Sequence, residues 1–259
     1  MLKNKVAVIY GAGGGIGSAV ARAFANEGAK VFLTGLHGAA VEAVAKGIVA
    51  AGGSAEAAEV DALDEQAIDR HLQSVIDKAG RIDISFNAIA IPDAKLLGVP
   101  LVELDAELFD LPGGYLKSYF LTARLAARRM LPNKSGVIMT VTALPSRTGT
   151  RLNGGYGPAM AAKEALTRDL SAELAPNGIR VVSLRPHGIP GTPTMKDVFE
   201  LKATGMTYEQ FQAYLASMTH PRRVMTLAEV ANMAVFMASD KASGMTGTTV
   251  NLTMGSLDD

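Results

Sequence analysis

Apolar positions along the chain alternate between two periodicities. Short β-branched runs at residues 6–10, 30–34 and 55–61 have the length and composition of buried strands. Between and after them lie Ala-rich stretches, 16–27, 39–51 and 65–79, whose apolar residues recur at helical spacing. The alternation continues with a strand at 82–87, a helix near 118–130, a strand at 136–142, a helix at 156–174 and a strand at 180–185. A last helix at 227–238 and a strand near 248–252 would close one edge. Strands joined by helical crossovers pair in parallel, so the pattern predicts a doubly wound α/β fold with helices on both faces of the sheet. Residues 186–221, rich in Pro, Thr, Gly and Met, break the rhythm. They are expected to hold short helices and, following a strand's C-terminal end, to shape a substrate pocket, with an ordinary surface excursion as the alternative. No linker, repeat or low-complexity tract divides the chain, which reads as one domain over 1–259.

Composition narrows the function. The 25 basic and 25 acidic residues cancel, so no excess charge serves nucleic acid or an anionic membrane surface. No cysteine is present, which removes disulfides, thiol nucleophiles and thiolate metal sites and suits the cytoplasm. No metal site is expected. The apolar run at 6–10 is too short for a signal-peptide core or a membrane span, and a soluble cytoplasmic protein is expected.

Gly11, Gly13, Gly14, Gly15 and Gly17 fall between the first strand and the first helix. There, backbone without side chains lets a pyrophosphate approach amides at a positive helix end. The spacing departs from G-x-G-x-x-G, because Ile16 takes the last glycine's place. It resembles the T-G-x-x-x-G-x-G motif of the short-chain dehydrogenase/reductase family, matched from Tyr10 to Gly17 except at its first residue. The resemblance extends over the chain, through Asp61-Ala62, Phe86-Asn87-Ala88-Ile89-Ala90, the 173–181 segment, 227–240 and Met245-Thr246-Gly247. It implies a Rossmann-type α/β/α fold with a nicotinamide dinucleotide on Gly11, Gly13, Gly14, Gly15, Ile16, Gly17, Leu36, His37, Asp61, Ala62, Asn87, Ala88, Ile89, Pro186, Gly188 and Ile189. At the end of the second strand Thr34-Gly35-Leu36-His37 offers neither an acid for the ribose of NAD nor an Arg for the phosphate of NADP. The missing carboxylate points to NADP, with NAD as the alternative.

The same resemblance implies a Tyr-x-x-x-Lys pair, in which the cation stabilises the phenolate, with a Ser and an Asn in support. Tyr156 stands at the start of its helix, but Met160 takes the lysine's place, Ala143 the serine's and Tyr115 the asparagine's. Thr142 and Ser146, beside Ala143, read as structural. Lys163, seven residues after Tyr156, shares roughly its helix face and could support it, or could be an ordinary solvated lysine. His187 is either a titrating group by the nicotinamide or a loop histidine. Tyr156 and Lys163 are therefore the expected catalytic pair of an atypical NADP(H)-dependent oxidoreductase reducing a carbonyl or enone of a small, largely apolar substrate. The alternatives are a non-redox isomerase, lyase or cyclase, and a catalytically silent cofactor-binding protein. The resemblance also implies a homo-oligomer, dimeric or tetrameric.

Overall fold

The computed structural model describes residues 1–203 and 205–258. Its strands are β1 (Val6–Tyr10), β2 (Lys30–Gly35), β3 (Ser54–Glu59), β4 (Ile84–Asn87), β5 (Gly136–Val141), β6 (Ile179–Pro186) and β7 (Thr248–Leu252). All pair in parallel, in the order β3-β2-β1-β4-β5-β6-β7. The order reverses between β1 and β4, and the crevice at that switch point is where such sheets bind ligands.

Helices cover both faces, which is why β1 reads as an unbroken apolar run. Ala7 and Ile9 face a core with Phe24 of α1 (Gly15–Asn26), Val44 of α2 (Gly38–Ala50) and Val230 of α9 (Leu227–Ala238). Val6, Val8 and Tyr10 face the opposite core with Leu72 of α3 (Glu65–Ala79) and Leu125 of α5 (Gly113–Met130). Helix ends carry local signals. Asp64 caps α3 by accepting from the amides of Gln66 and Ala67, and Gly80 ends it at φ 76°. Thr226 and Glu229 close a capping box on α9.

Most predicted elements lie within two residues of the observed ones. The exceptions flank the site: α5 begins at Gly113, earlier than expected, and is preceded by α4 (Ala106–Asp110), which the periodicity does not announce. The 186–221 segment holds α7 (Pro193–Lys202) and α8 (Tyr208–Ser217), the short helices its composition suggests.

A buried ion pair joins α6 (Tyr156–Leu174) to the sheet. Glu164 Oε2 accepts from an Arg185 terminal nitrogen at 2.8 Å. Its Oε1 accepts from Arg185 Nε at 2.9 Å, Ser146 Oγ at 2.6 Å and Thr142 Oγ1 at 3.0 Å. Burial alone would push the carboxyl up, but the hydrogen bonds from Arg185 and Ser146 outweigh it and hold the group below its ordinary value. Thr142 and Ser146 are thus structural, as their positions suggested. Removing one partner of a buried pair costs on the order of 3–5 kcal/mol. Glu164→Ala is accordingly expected to lower the unfolding free energy in urea by about 3 kcal/mol at neutral pH; a change under about 0.5 kcal/mol, the size of an ordinary surface substitution, would contradict the pair's role.

Candidate active site

The glycine turn between β1 and α1 is closed so tightly that side chains have no room. A Cβ on Gly11, at φ 76°, would fall 2.4 Å from the Ala88 carbonyl oxygen, and one on Gly17 would fall 2.2 Å from the Gly11 carbonyl oxygen. Helix α1 starts on Gly14, which offers no capping side chain, and its first turn holds no acid. Its leading amides thus face outward with neither a side-chain acceptor nor a repelling charge, as a bound phosphate requires. The loop after β6 reaches this turn: a Cβ on Gly15 would meet Thr192 Cγ2 at 3.0 Å. These features fit a dinucleotide's pyrophosphate.

Around the turn the remaining expected cofactor residues take distinct places. The Asn87 side chain is buried and donates to Thr122 Oγ1 at 3.1 Å, so it braces β4 against α5, leaving backbone at Ala88 and Ile89 to line the crevice. Asp61 follows β3 in the open, its Oδ1 accepting from the Leu63 amide at 2.8 Å, and Ala62 is buried. Leu36 is exposed, and His37 caps α2 through its backbone alone. Pro186, Gly188 and Ile189 carry the chain from β6 toward Thr192, whose hydroxyl donates to the Ile189 carbonyl at 3.0 Å. His187, in the loop after β6, is buried: burial lowers its pKa, and among the described residues its Nε2 has no hydrogen-bond partner.

The four positions that should carry the chemistry converge. Tyr115, Tyr156, Met160 and Ala143 pack in one small cluster with Ala159 and Ile91. Tyr156 and Tyr115 meet edge to face, ring centroids 5.5 Å apart at 83°. The Tyr115 hydroxyl donates to the Ile91 carbonyl at 3.4 Å. The positions named by the resemblance therefore lie together, with a thioether and a methyl group where an ammonium and a hydroxyl were expected.

Lys163 lies beside this cluster. It is neither solvated nor hydrogen-bonded to Tyr156: its Nζ donates to the Val141 carbonyl at 2.8 Å, 5.9 Å from the Tyr115 ring centre and 5.7 Å from that of Tyr119. Burial pulls its pKa down to about 7. The acid–base neighbour that Tyr156 does have is Asp93, in the loop after β4 and only 9 % exposed. Burial, and then Asp93, push the Tyr156 phenol above its ordinary range, while burial, helped by Asp197 of α7, pushes the Asp93 carboxyl up to about 6. Sequence reasoning missed Asp93, since no motif marks it and only the loop's path brings it here. Among the described residues no group of three His, Asp or Glu side chains is placed to hold a metal.

A family model described as enoyl-(acyl carrier protein) reductase matches residues 11–256. The uncharacterized oxidoreductase YxbG of Bacillus subtilis is 34% identical over 247 residues, covering 95% of this chain and 88% of that one. The (+)-borneol dehydrogenase 2 of Salvia officinalis is 28% identical over 251 residues, covering 95% and 87%. The crystal structure of sorbitol-6-phosphate 2-dehydrogenase SrlD from Erwinia amylovora superposes with a TM-score of 0.90 at 26% identity, covering 98% of this chain and all of that one (100%).

The setting of Lys163 has a measurable consequence. Below about pH 7 the amine is charged in a dry site. Between that value and its ordinary 10.5 the unfolded chain holds a proton the folded one has lost, so stability rises with pH. Lys163→Met should therefore raise the unfolding free energy by about 1–2 kcal/mol near pH 6, a gain that shrinks toward zero by about pH 10. Denaturation at both pH values checks this; a loss of stability at pH 6 would mean the ammonium is better satisfied than one carbonyl bond implies.

Proposed function

The chain belongs to the short-chain dehydrogenase/reductase family and is an NAD(P)-dependent oxidoreductase, and from that premise we propose that it reduces the carbonyl or enone of a small, largely apolar substrate, with Tyr156 as proton donor. The observation that carries this reading is the cluster of Tyr156, Tyr115, Met160, Ala143 and Ile91 at the C-terminal edge of the sheet. When bound, the nicotinamide supplies the hydride. The glycine turn holds the pyrophosphate, and the Tyr156 phenol gives its proton to the oxygen that becomes an alkoxide. Met160 and Ile91 offer that substrate an apolar wall and no cation, while Asp93 disfavours an anionic one. The name of the Salvia relative, a dehydrogenase of the apolar alcohol borneol, is in keeping with this substrate class.

Direction follows from the same geometry. Oxidation of an alcohol needs the tyrosine as a base, hence a phenolate held by a cation; reduction needs it only as a neutral acid. Among the described residues no cation hydrogen-bonds or ion-pairs with Tyr156, and Asp93 opposes phenolate formation, which supports reduction. Lys163 donates to the Val141 carbonyl rather than to Tyr156, so this reading gives it no part in the proton transfer. We also propose one domain across 1–259, a cytoplasmic homo-oligomer of dimeric or tetrameric form, and small-molecule partners without nucleic acid or membrane. No helix among the described residues is long and apolar enough to cross a membrane.

A second reading is favoured by Asp93 itself. A carboxylate beside two phenols can take a proton next to a ketone while the phenols steady the enolate, which would make the protein an isomerase. One comparison separates the two, a screen of apolar ketones and enones with NADH and NADPH. For the reductase, Tyr156→Phe should cut turnover by about 10²–10⁴-fold and Asp93→Asn by less than about tenfold. Conversion or deuterium exchange without change in nicotinamide absorbance, abolished by Asp93→Asn, would replace this reading with the isomerase.

A further inference from the structure

The cofactor preference expected from the sequence rested on the missing acid at the end of β2. The sheet register supplies one from elsewhere. β3 pairs with β2 so that Glu59 lies opposite Gly35, the last residue of β2. The Glu59 side chain crosses to the start of α2, where its Oε2 accepts from the Gly38 amide at 3.1 Å. The fit is close: a Cβ on Gly38 would fall 2.8 Å from that same oxygen. The first amide of α2, which a 2′-phosphate would use at this end of the crevice, is thus already held by a carboxylate.

Among the described residues no cation pairs with that charge, although Lys46 lines the same hollow as Glu59 and Gly38. Leu36 is apolar and 57% exposed, the His37 side chain makes no cap bond, and Lys46 pairs with Glu42 one turn away at 3.3 Å. Among the described residues Glu59 has no other hydrogen bond or ion pair, so its exposed second oxygen has an accepting position left.

We infer that Glu59, reaching across from β3, does the work of the absent β2 acid: it accepts a ribose hydroxyl of the adenosine and selects NAD(H) against NADP(H). The inference rests on the family reading of this crevice as the dinucleotide site, and it reverses the preference drawn from 34–37 alone. It requires only the bare backbone at Gly35 and Gly38, which lets the longer Glu side chain pass from the neighbouring strand.

The test is calorimetric titration of the cofactor-free protein, wild type and Glu59→Gln, with NADH and with NADPH. Wild type should bind NADH at least about tenfold more tightly, and Glu59→Gln should narrow the ratio by about tenfold, chiefly through tighter NADPH, since one carboxylate–phosphate repulsion is worth about 1 kcal/mol or more in a wet site. Glu59 is exposed, so the variant's thermal midpoint should not move, and an unchanged midpoint verifies that both proteins are folded. A wild-type preference for NADPH, or a ratio indifferent to the substitution, overturns the inference and leaves the oxidoreductase reading standing. Binding of neither nucleotide overturns both.

Discussion

Glu164 takes a full negative charge out of water, and the structure around the site is arranged to make that tolerable. Its carboxylate collects donors from three elements: Arg185 on β6, Thr142 at the exit of β5 and Ser146 in the turn that follows. Such a charge is costly to bury and is stable only when its lone pairs are met. Once they are met, the helix bearing Glu164 cannot slide against the sheet without breaking several bonds at once. Tyr156 opens that same helix two turns earlier, and Pro186 to Thr192 run straight on from Arg185 toward the glycine turn. The network therefore fixes both walls of the crevice, the one with the phenol and the one that runs to the glycine turn.

Inside that rigid frame the chemistry is spare. Met160 and Ala143 leave an apolar floor, the Lys163 ammonium lies over the Tyr115 and Tyr119 rings but donates to the backbone of β5, and the Asp93 carboxyl acts on the Tyr156 phenol. A phenol paired with a carboxyl gives up a proton to a developing oxyanion but is a poor base, which binds together three features of the proposed function: reduction, an uncharged substrate and apolar walls. The adenosine end obeys the same sign. On the inferred preference for NAD(H), Glu59 on the Gly38 amide would make both ends of the crevice disfavour extra negative charge on what they bind.

The sequence made the scaffold legible because its elements are locally encoded. Strands buried on both faces write continuous apolar runs, and Asp64, Gly80 and the Thr226–Glu229 box mark helix ends within a few residues. The glycine turn and Tyr156 were legible for the same reason, each sitting at the first residues of an element. What escaped depends on contacts across the fold. Helix α4 is five residues long and buries no side chain, so it leaves no periodic trace. Lys163 lies on the side of α6 that periodicity assigned, yet its nitrogen reaches the end of β5 and meets the Val141 carbonyl rather than Tyr156. Glu59 and Asp93 come to their sites through strand register and the course of a loop, neither of which a pattern along the chain can express.

In the proposed reaction Tyr156 acts as a neutral phenol, with no cation among the described residues hydrogen-bonded or ion-paired to it. Ultraviolet titration of tyrosine ionisation in the cofactor-free protein, wild type against Tyr156→Phe, reads this without any substrate. The difference between the two should contain no tyrosinate up to the ordinary phenol value of 10.0, because burial and Asp93 both hold the proton on. A tyrosinate belonging to Tyr156 that titrates between about pH 6 and 9, the range a neighbouring cation would produce, would contradict it.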